Sequence, residues 1–105
     1  MANNMKIRAQ LKDGSVEIKV LMSHPMETGR RKNDRGETEP AHFIQLVSAT
    51  LNGKTVLEAQ WGTGISKNPY LTFRLKAAKV GDIVKISWVD NKGATESIET
   101  AIVAG

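Results

Sequence analysis

The chain of 105 residues contains no cysteine. It therefore has no disulfide, no thiolate nucleophile and no thiolate metal ligand, and it is compatible with either redox compartment. No apolar run reaches the length that a bilayer-spanning helix needs, so we expect no membrane contact. Residues 1–22 also lack the basic start, apolar run and cleavage site of a secretory signal, and this absence, taken alone, predicts a cytoplasmic protein.

Signals for catalysis are equally sparse. No serine lies in a G-x-S-x-G turn, and no Ser/His/Asp constellation stands out. Gly62-Thr63-Gly64 lacks the further glycines and the helix N-terminus of a phosphate loop. Glu37 and Glu39 form a carboxylate pair of the kind that any exposed loop supplies. We therefore expect no enzymatic activity and no cofactor.

Only His24, Glu27 and His42 suggest a metal site, since two histidines and a carboxylate can bind zinc or iron. Their spacing matches no metal motif, and Pro25 prevents a helix that would align His24 with Glu27. The sequence therefore predicts no metal, and it favours a histidine that hydrogen-bonds to the loop backbone.

Apolar and polar residues alternate through most of the chain, which is typical of strands with one buried face. Apolar residues make up 40% and charged residues 25% of the chain, an ordinary globular composition that predicts a single domain over residues 1–105. Turns are predicted at Lys12-Asp13-Gly14, at Asn52-Gly53, around Lys79–Asp82 and at Asp90–Gly93. The pattern favours an antiparallel, immunoglobulin-like β-sandwich of about seven strands, with a small barrel as the alternative.

The segment from Ser23 to Pro40 is a long polar loop, and a small β domain rarely carries such a loop without a function. Four basic residues in it (Arg30, Arg31, Lys32 and Arg35) are balanced by four acidic ones (Glu27, Asp34, Glu37 and Glu39). This balance, with a net charge of only +4 for the chain, argues against nucleic-acid binding. One or two of these arginines can instead form bidentate hydrogen bonds with a carboxylate, sulfate or thiosulfonate anion.

The predicted strand His42–Leu51 breaks the alternation. Ile44 and Leu46 are apolar on the face that should point outward, opposite Phe43, Val47, Ala49 and Leu51. Leu21 is likewise apolar on the outward face of its strand. Either the chain's own loops cover these residues, or they form a protein–protein contact.

Three motifs closely resemble the SoxZ family, the small cysteine-free subunits of the bacterial SoxYZ sulfur carrier. The most specific is His-Pro-Met-Glu-Thr-Gly at 24–29, preceded by Ile18–Ser23 and followed by Arg31, Asn33 and Gly36. The others are Asn68-Pro69-Tyr70 and Trp88-Val89-Asp90-Asn91-Lys92-Gly93. The resemblance extends from Ile7 to Val103.

This resemblance implies a heterodimer with SoxY, whose flexible C-terminal Gly-Gly-Cys-Gly-Gly arm holds the sulfur substrate covalently and delivers it to enzymes of thiosulfate and sulfide oxidation. The cysteine-free chain would be the non-catalytic, docking half of the carrier. The resemblance also implies an immunoglobulin-like sandwich. It moves the expected location to the periplasm, reached together with a partner that carries the export signal.

On this basis Leu21, Ile44 and Leu46 are expected to hold the permanent partner. The turn at 24–29 would shape that interface or the surface next to the partner's cysteine arm. It consists of His24, Pro25, Met26, Glu27, Thr28 and Gly29. Arg30, Arg31 and Arg35 would attract anionic sulfur adducts or acidic enzyme surfaces in transient contacts. Without its partner, the apolar face can drive homodimers. The competing interpretation is a free-standing adhesion or carbohydrate-binding module, for which only Tyr70 offers an exposed aromatic ring.

Overall fold

The computed structural model of the chain describes residues 5–30, 32, 34–65 and 67–104. Eight strands lie in these ranges: β1 (Met5–Lys12), β2 (Ser15–Met22), β3 (Ile44–Leu51), β4 (Lys54–Gln60), β5 (Tyr70–Leu75), β6 (Ile83–Asp90), β7 (Thr95–Ala101) and β8 (Val103–Ala104). The first sheet has the order β5-β2-β1-β8, and the second sheet has the order β4-β3-β6-β7. None of the described residues belongs to a helix long and apolar enough to cross a membrane.

The two sheets form a β-sandwich, which confirms the fold class predicted from the alternation. Within the described ranges no strand of one sheet pairs with a strand of the other, so the sheets do not close into the alternative barrel. Neighbouring strands are antiparallel except β8, which runs parallel to β1 through Gln10–Val103 and Leu11–Ala104. β8 is an additional strand beyond the about seven predicted. With two residues, β8 is too short to show a period of two.

Both tight hairpins form where the turn residues predicted them. Asp13 and Gly14 have φ angles of 50° and 81°, and Asn52 and Gly53 have φ angles of 51° and 86°. A two-residue turn with both φ angles positive matches the twist of the flanking strands, and Asp, Asn and Gly tolerate that backbone best. The turns therefore fix the register of β1 with β2 and of β3 with β4.

The core lies between the sheets and is made by alternate residues of the central strands. The inward-facing apolar residues of β2 and β6 are buried: Val16, Ile18, Val20, Met22, Val84, Ile86 and Trp88. Ile102 closes one end of this core, and Ile98 packs against it. This set follows the period-two alternation because each of these strands has one buried face.

The break in the alternation of β3 has a different cause from the one expected. Ile44 pairs with Asp90 while Leu46 pairs with Val89, so a bulge at Gln45 places one extra residue in β3. The bulge brings Ile44 to the same face as Val47, and the side chain of Ile44 is fully buried. The prediction that Ile44 faces outward is therefore wrong, while Leu46 stays outward and half-buried.

Leu21, Ile44 and Leu46 do not form one surface. Leu21 is 43% exposed on the outer face of the first sheet, where it pairs with Lys6 and Tyr70. Leu46 lies on the outer face of the second sheet, on the opposite side of the sandwich. An interface that uses all three residues together is excluded by this geometry.

Truncation of Ile44 should therefore act on stability. We expect Ile44→Ala to lower the free energy of unfolding by about 3 kcal/mol, because it leaves a cavity between the sheets. Leu46→Ala, the matched control at a half-buried outward position, should cost about 1 kcal/mol or less. Urea unfolding of the two variants measures both effects, and equal losses would contradict the assignment of Ile44 to the core.

Candidate functional site

Three segments far apart in the sequence meet just beyond the end of β2. His24 follows β2, Asn68 precedes β5, and Asp90 ends β6. The His24 backbone N–H donates to Asn68 Oδ1 (3.1 Å), and the His24 carbonyl accepts from the Asn68 N–H (3.0 Å). Together with His42 these residues form what we call the His24 junction, which joins the two sheets at one end of the sandwich.

The side chains of the junction converge on one carboxylate oxygen. His24 Nε2 lies 3.1 Å and His42 Nε2 lies 2.8 Å from Asp90 Oδ2. His24 and Asp90 are buried, at 4% and 2% exposure, whereas the His42 side chain is 27% exposed. The His24 ring makes edge contacts with the rings of His42 (centroids 4.5 Å apart) and Trp88 (5.0 Å).

The hydrogen bonds of His24 define its tautomer. The backbone N–H of Met26 donates to His24 Nδ1 at 3.2 Å, and an amide N–H can only donate. Nδ1 is therefore the acceptor, and Nε2 carries the proton that is donated to Asp90 Oδ2. The prediction of a histidine hydrogen-bonded to loop backbone describes one of these two bonds, and Asp90 supplies the other.

Asp90 is saturated with donors. Its Oδ1 accepts from the backbone N–H groups of Lys92 and Ala94 (2.9 Å each), while its Oδ2 accepts from the two histidines. Burial by itself raises the pKa of Asp90, but the hydrogen bonds from His24, His42, Ala94 and Lys92 outweigh it and lower the pKa to about 2. Asp90 is thus a stable buried anion that holds the surrounding chain together.

The same three side chains have the composition of a metal site, with their ligand atoms within 4.8 Å of one another. A histidine that binds a metal through Nε2 normally carries its proton on Nδ1 and donates it outward. In this junction Nδ1 of His24 faces the N–H of Met26, so a proton there would oppose another donor. The donor arrangement therefore favours hydrogen bonding over metal ligation.

Sequence reasoning paired the histidines with Glu27 and missed Asp90. Glu27 is instead bridged to His42 through backbone, with N···O distances of 2.7 and 3.0 Å in the two directions. Asp90 was placed in the turn that ends at Gly93 and in the motif at 88–93, with no role as a partner of the histidines. No local signal distinguishes a turn aspartate from one that also receives two histidines from a distant loop.

The long loop is held at its base by backbone that only a few residues tolerate. Met26 has a φ of 49°, which is strained for a bulky side chain, yet it is buried and its Sδ accepts from the N–H of Ile44 (3.4 Å). Gly29 has a φ of 83°, and a Cβ on it would lie 3.3 Å from the Cβ of Ala41. These contacts explain the Met and Gly of the motif at 24–29 as requirements of the loop's shape.

Asn91 clamps the other end of the loop. Its Oδ1 accepts from the N–H of Phe43 at 2.8 Å, and its Nδ2 donates to the carbonyl of Ala41 at 2.9 Å. Further out, Lys32 and Thr38 form an isolated backbone bridge. These hydrogen bonds therefore pin the base of the loop to the sandwich.

The residues expected to bind the partner or anions differ in what they expose. His24 and Met26 are buried, so they shape the loop and offer little contact surface, while Glu27 and Gly29 are half-buried. Pro25, Thr28, Arg30 and Arg35 are exposed, and Thr28 Oγ1 accepts from the N–H of Arg30 (3.1 Å). Arg31, expected to bind anions, lies outside the described residues.

All three motifs that resemble the SoxZ family contribute to this one junction. A family model described as "Sulphur oxidation protein SoxZ" matches residues 5–101 of the chain. The chain belongs to the SoxZ family. Membership confirms the resemblance, supports a role in the Sox sulfur-oxidation system, and implies association with Sox partners such as SoxY. A comparison with curated proteins finds no match.

In this SoxZ-family chain, the stability should depend on the Asp90 anion. The folded-state pKa of Asp90 lies below its ordinary value of 3.8, so the ionised group stabilises the fold above pH 3.8. We expect about 2 kcal/mol of this stability to be lost as the pH falls from 3.8 to about 2. Asp90→Asn should remove this acid-sensitive part and cost about 3 kcal/mol at neutral pH, since two donors lose their acceptor.

Urea unfolding between pH 2 and pH 6 measures this effect. The control is Asp82→Asn at an exposed turn, where a backbone hydrogen bond from Lys79 lowers the pKa of Asp82 in a solvent-screened setting. Asp82→Asn should remove a smaller part of the pH dependence. Parallel pH profiles for wild type and Asp90→Asn would contradict the role given to Asp90.

The assigned tautomer of His24 predicts its response to zinc. Long-range ¹H–¹⁵N NMR spectra should show the proton on Nε2 of His24 at neutral pH, and added zinc should leave that signal in place. A zinc-induced move of the proton to Nδ1 would show that the junction binds metal. Because the part-exposed His42 belongs to the same cluster, a zinc-induced change at His42 that leaves the His24 signal in place would indicate contact at the surface only.

Proposed function

We propose that the chain is the non-catalytic subunit of a periplasmic, heterodimeric sulfur carrier, in which a SoxY-like partner holds sulfur intermediates on its cysteine arm. The supporting observation is that a SoxZ-family chain has one outer sheet face, that of the second sheet, suited to a permanent protein partner. In the carrier, this chain docks and positions, and the partner's cysteine carries the covalent chemistry.

The outer face of the second sheet is poor in charge at the end nearest the His24 junction. One row across the four strands consists of Gln60, Leu46, Val89 and Thr95, and the next consists of Glu58, Ser48, Ser87 and Ser97. Only one charged side chain lies in these two rows. Depletion of charge with apolar residues at the centre is the composition found in the core of protein–protein interfaces.

The side chains of these rows are also short. Apart from Gln60 and Glu58 on β4, the neighbours of Leu46 and Val89 in these rows are serines and a threonine, and Val89 is 39% exposed. Short side chains let a second sheet approach to about the 10 Å separation of packed sheets. The face therefore suits a partner that is itself a flat sheet, with Leu46 and Val89 at the centre of the contact.

The His24 junction lies at one end of this face. Asp90 pairs with Ile44 in the position next to the Leu46–Val89 pair. The pinned loop base therefore borders the proposed interface, which supports a role for the His24–Gly29 turn in shaping it. The junction itself supports a structural role, since both nitrogens of His24 and both oxygens of Asp90 are engaged.

Size-exclusion chromatography with light scattering, on the chain alone and with a SoxY-like partner, tests the proposal. Wild type should form a stable one-to-one complex. The double variant Leu46→Asp, Val89→Asp should lose it, because two charges would be buried unpaired at the interface centre. Leu21→Asp, the matched control on the opposite face, should keep the complex.

Loss of the complex in Leu21→Asp and its retention in the double variant would place the partner on the first sheet and contradict this assignment. No complex with a folded partner would contradict the carrier function as a whole. The adhesion-module interpretation, to which the 57% exposed Tyr70 offers a binding ring, would then be preferred.

A further inference from the structure

The positive charge of the chain is concentrated on the outer face of the first sheet. Five basic side chains and one acidic side chain alternate outward there: Lys6, Arg8, Lys12, Lys19, Arg74 and Glu17. The resulting charge of +4 equals the formal net charge of the whole chain. The rest of the molecule is therefore neutral on balance, and the loop arginines are offset by acidic neighbours.

An apolar spot lies at one end of this basic face. Leu21 and Tyr70 are cross-strand neighbours, 43% and 57% exposed. With Lys6, Arg8 and Lys19 they line a shallow depression of about 230 Å³. An exposed leucine beside an exposed tyrosine offers a contact for one apolar side chain, and the surrounding cations offer contacts for carboxylates.

We infer that this basic face docks an acidic protein surface that presents one apolar side chain among aspartates and glutamates. The apolar side chain would fill the Leu21–Tyr70 depression, and the carboxylates would pair with Lys6, Arg8 and Lys19. Such a contact is small and charge-steered, so it forms quickly and weakens with salt. Such a contact suits a partner that binds transiently.

Other anionic partners fit the face less well. A nucleic acid would find a single stacking ring, Tyr70, and a glutamate, Glu17, in the middle of the basic rows. Glu17 is engaged by Lys19 (3.4 Å) and Arg74 (3.5 Å), which reduces the charge available for phosphates. A membrane surface would gain little apolar burial from one leucine and one tyrosine.

The identity of the acidic protein as an enzyme that acts on the carrier rests on the proposed function, whereas binding to an acidic surface does not. The basic face and the charge-poor face lie on opposite sides of the sandwich. A permanent partner on the second sheet would leave the first sheet free for successive enzymes.

Chemical-shift mapping on the ¹⁵N-labelled chain tests the inference with two synthetic peptides. One is acetyl-Asp-Glu-Asp-Leu-Phe-Asp-Glu-Asp-amide, and the other has serines in place of Leu and Phe. The first peptide should shift the amide signals of Lys6, Leu21 and Tyr70, and binding should disappear between about 0.05 and 0.5 M NaCl. The serine peptide should bind several-fold more weakly.

Charge reversal separates this face from the rest of the chain. Lys19→Glu and Arg8→Glu, both at exposed positions, should each weaken peptide binding about tenfold. Lys54→Glu, an exposed lysine in the second sheet, should change it less than about twofold. Thermal unfolding of each variant checks that the sandwich is intact.

Four results would overturn the inference. The first is a set of shifts centred on the loop at Arg30 and Arg35; the second is equal binding of both peptides by wild type and variants. The third is tighter binding of an oligonucleotide or of anionic lipid vesicles to the same residues. If the SoxY-like complex forms but blocks the peptide, the face is the permanent interface and the inference fails. If no such complex forms while the peptide binds, only the proposed function fails.

Discussion

The structure depends on one buried carboxylate oxygen that receives two imidazoles. Asp90 Oδ2 ties the segment after β2 and the segment before β3 to the end of β6. The first of these belongs to one sheet and the other two to the opposite sheet, so this atom links the layers as well as the loop. A carboxylate with four donors is costly to bury only if a donor is missing, and all four positions are filled.

The motif from His24 to Gly29 looks like a binding sequence because it is polar and unusual, yet most of its residues serve the backbone. His24 supplies an acceptor and a donor, Met26 adopts a left-handed conformation, and Gly29 makes room for Ala41. The motif presents to solvent only the exposed residues of its turn, and its buried residues determine the shape of the loop. We propose that the two outer sheet faces, which differ in charge, carry most of the binding.

Alternation and turn chemistry predicted the sandwich because they are local properties. The unpredicted features are those that depend on pairing. The bulge at Gln45 reversed the orientation of Ile44, since a shift of one residue exchanges the faces of a strand. Asp90 meets its histidines across separations of 48 and 66 residues, and the basic face combines Lys6, Lys19 and Arg74 from three strands. The cluster of charges around Arg30 is contiguous in the sequence, whereas the charges of the basic face come together only when the three strands pair.

The span of the His24 junction also bears on how the chain folds. Its hydrogen bonds close loops of 44, 48 and 66 residues, whereas the hairpins at Gly14 and Gly53 close loops of two. Long loops cost more entropy to close and form more slowly than local turns. We therefore expect the hairpins to form early and the junction to close only once both sheets have met. We expect the loop from Ser23 to Pro40 to acquire its shape last, after the two sheets have packed together.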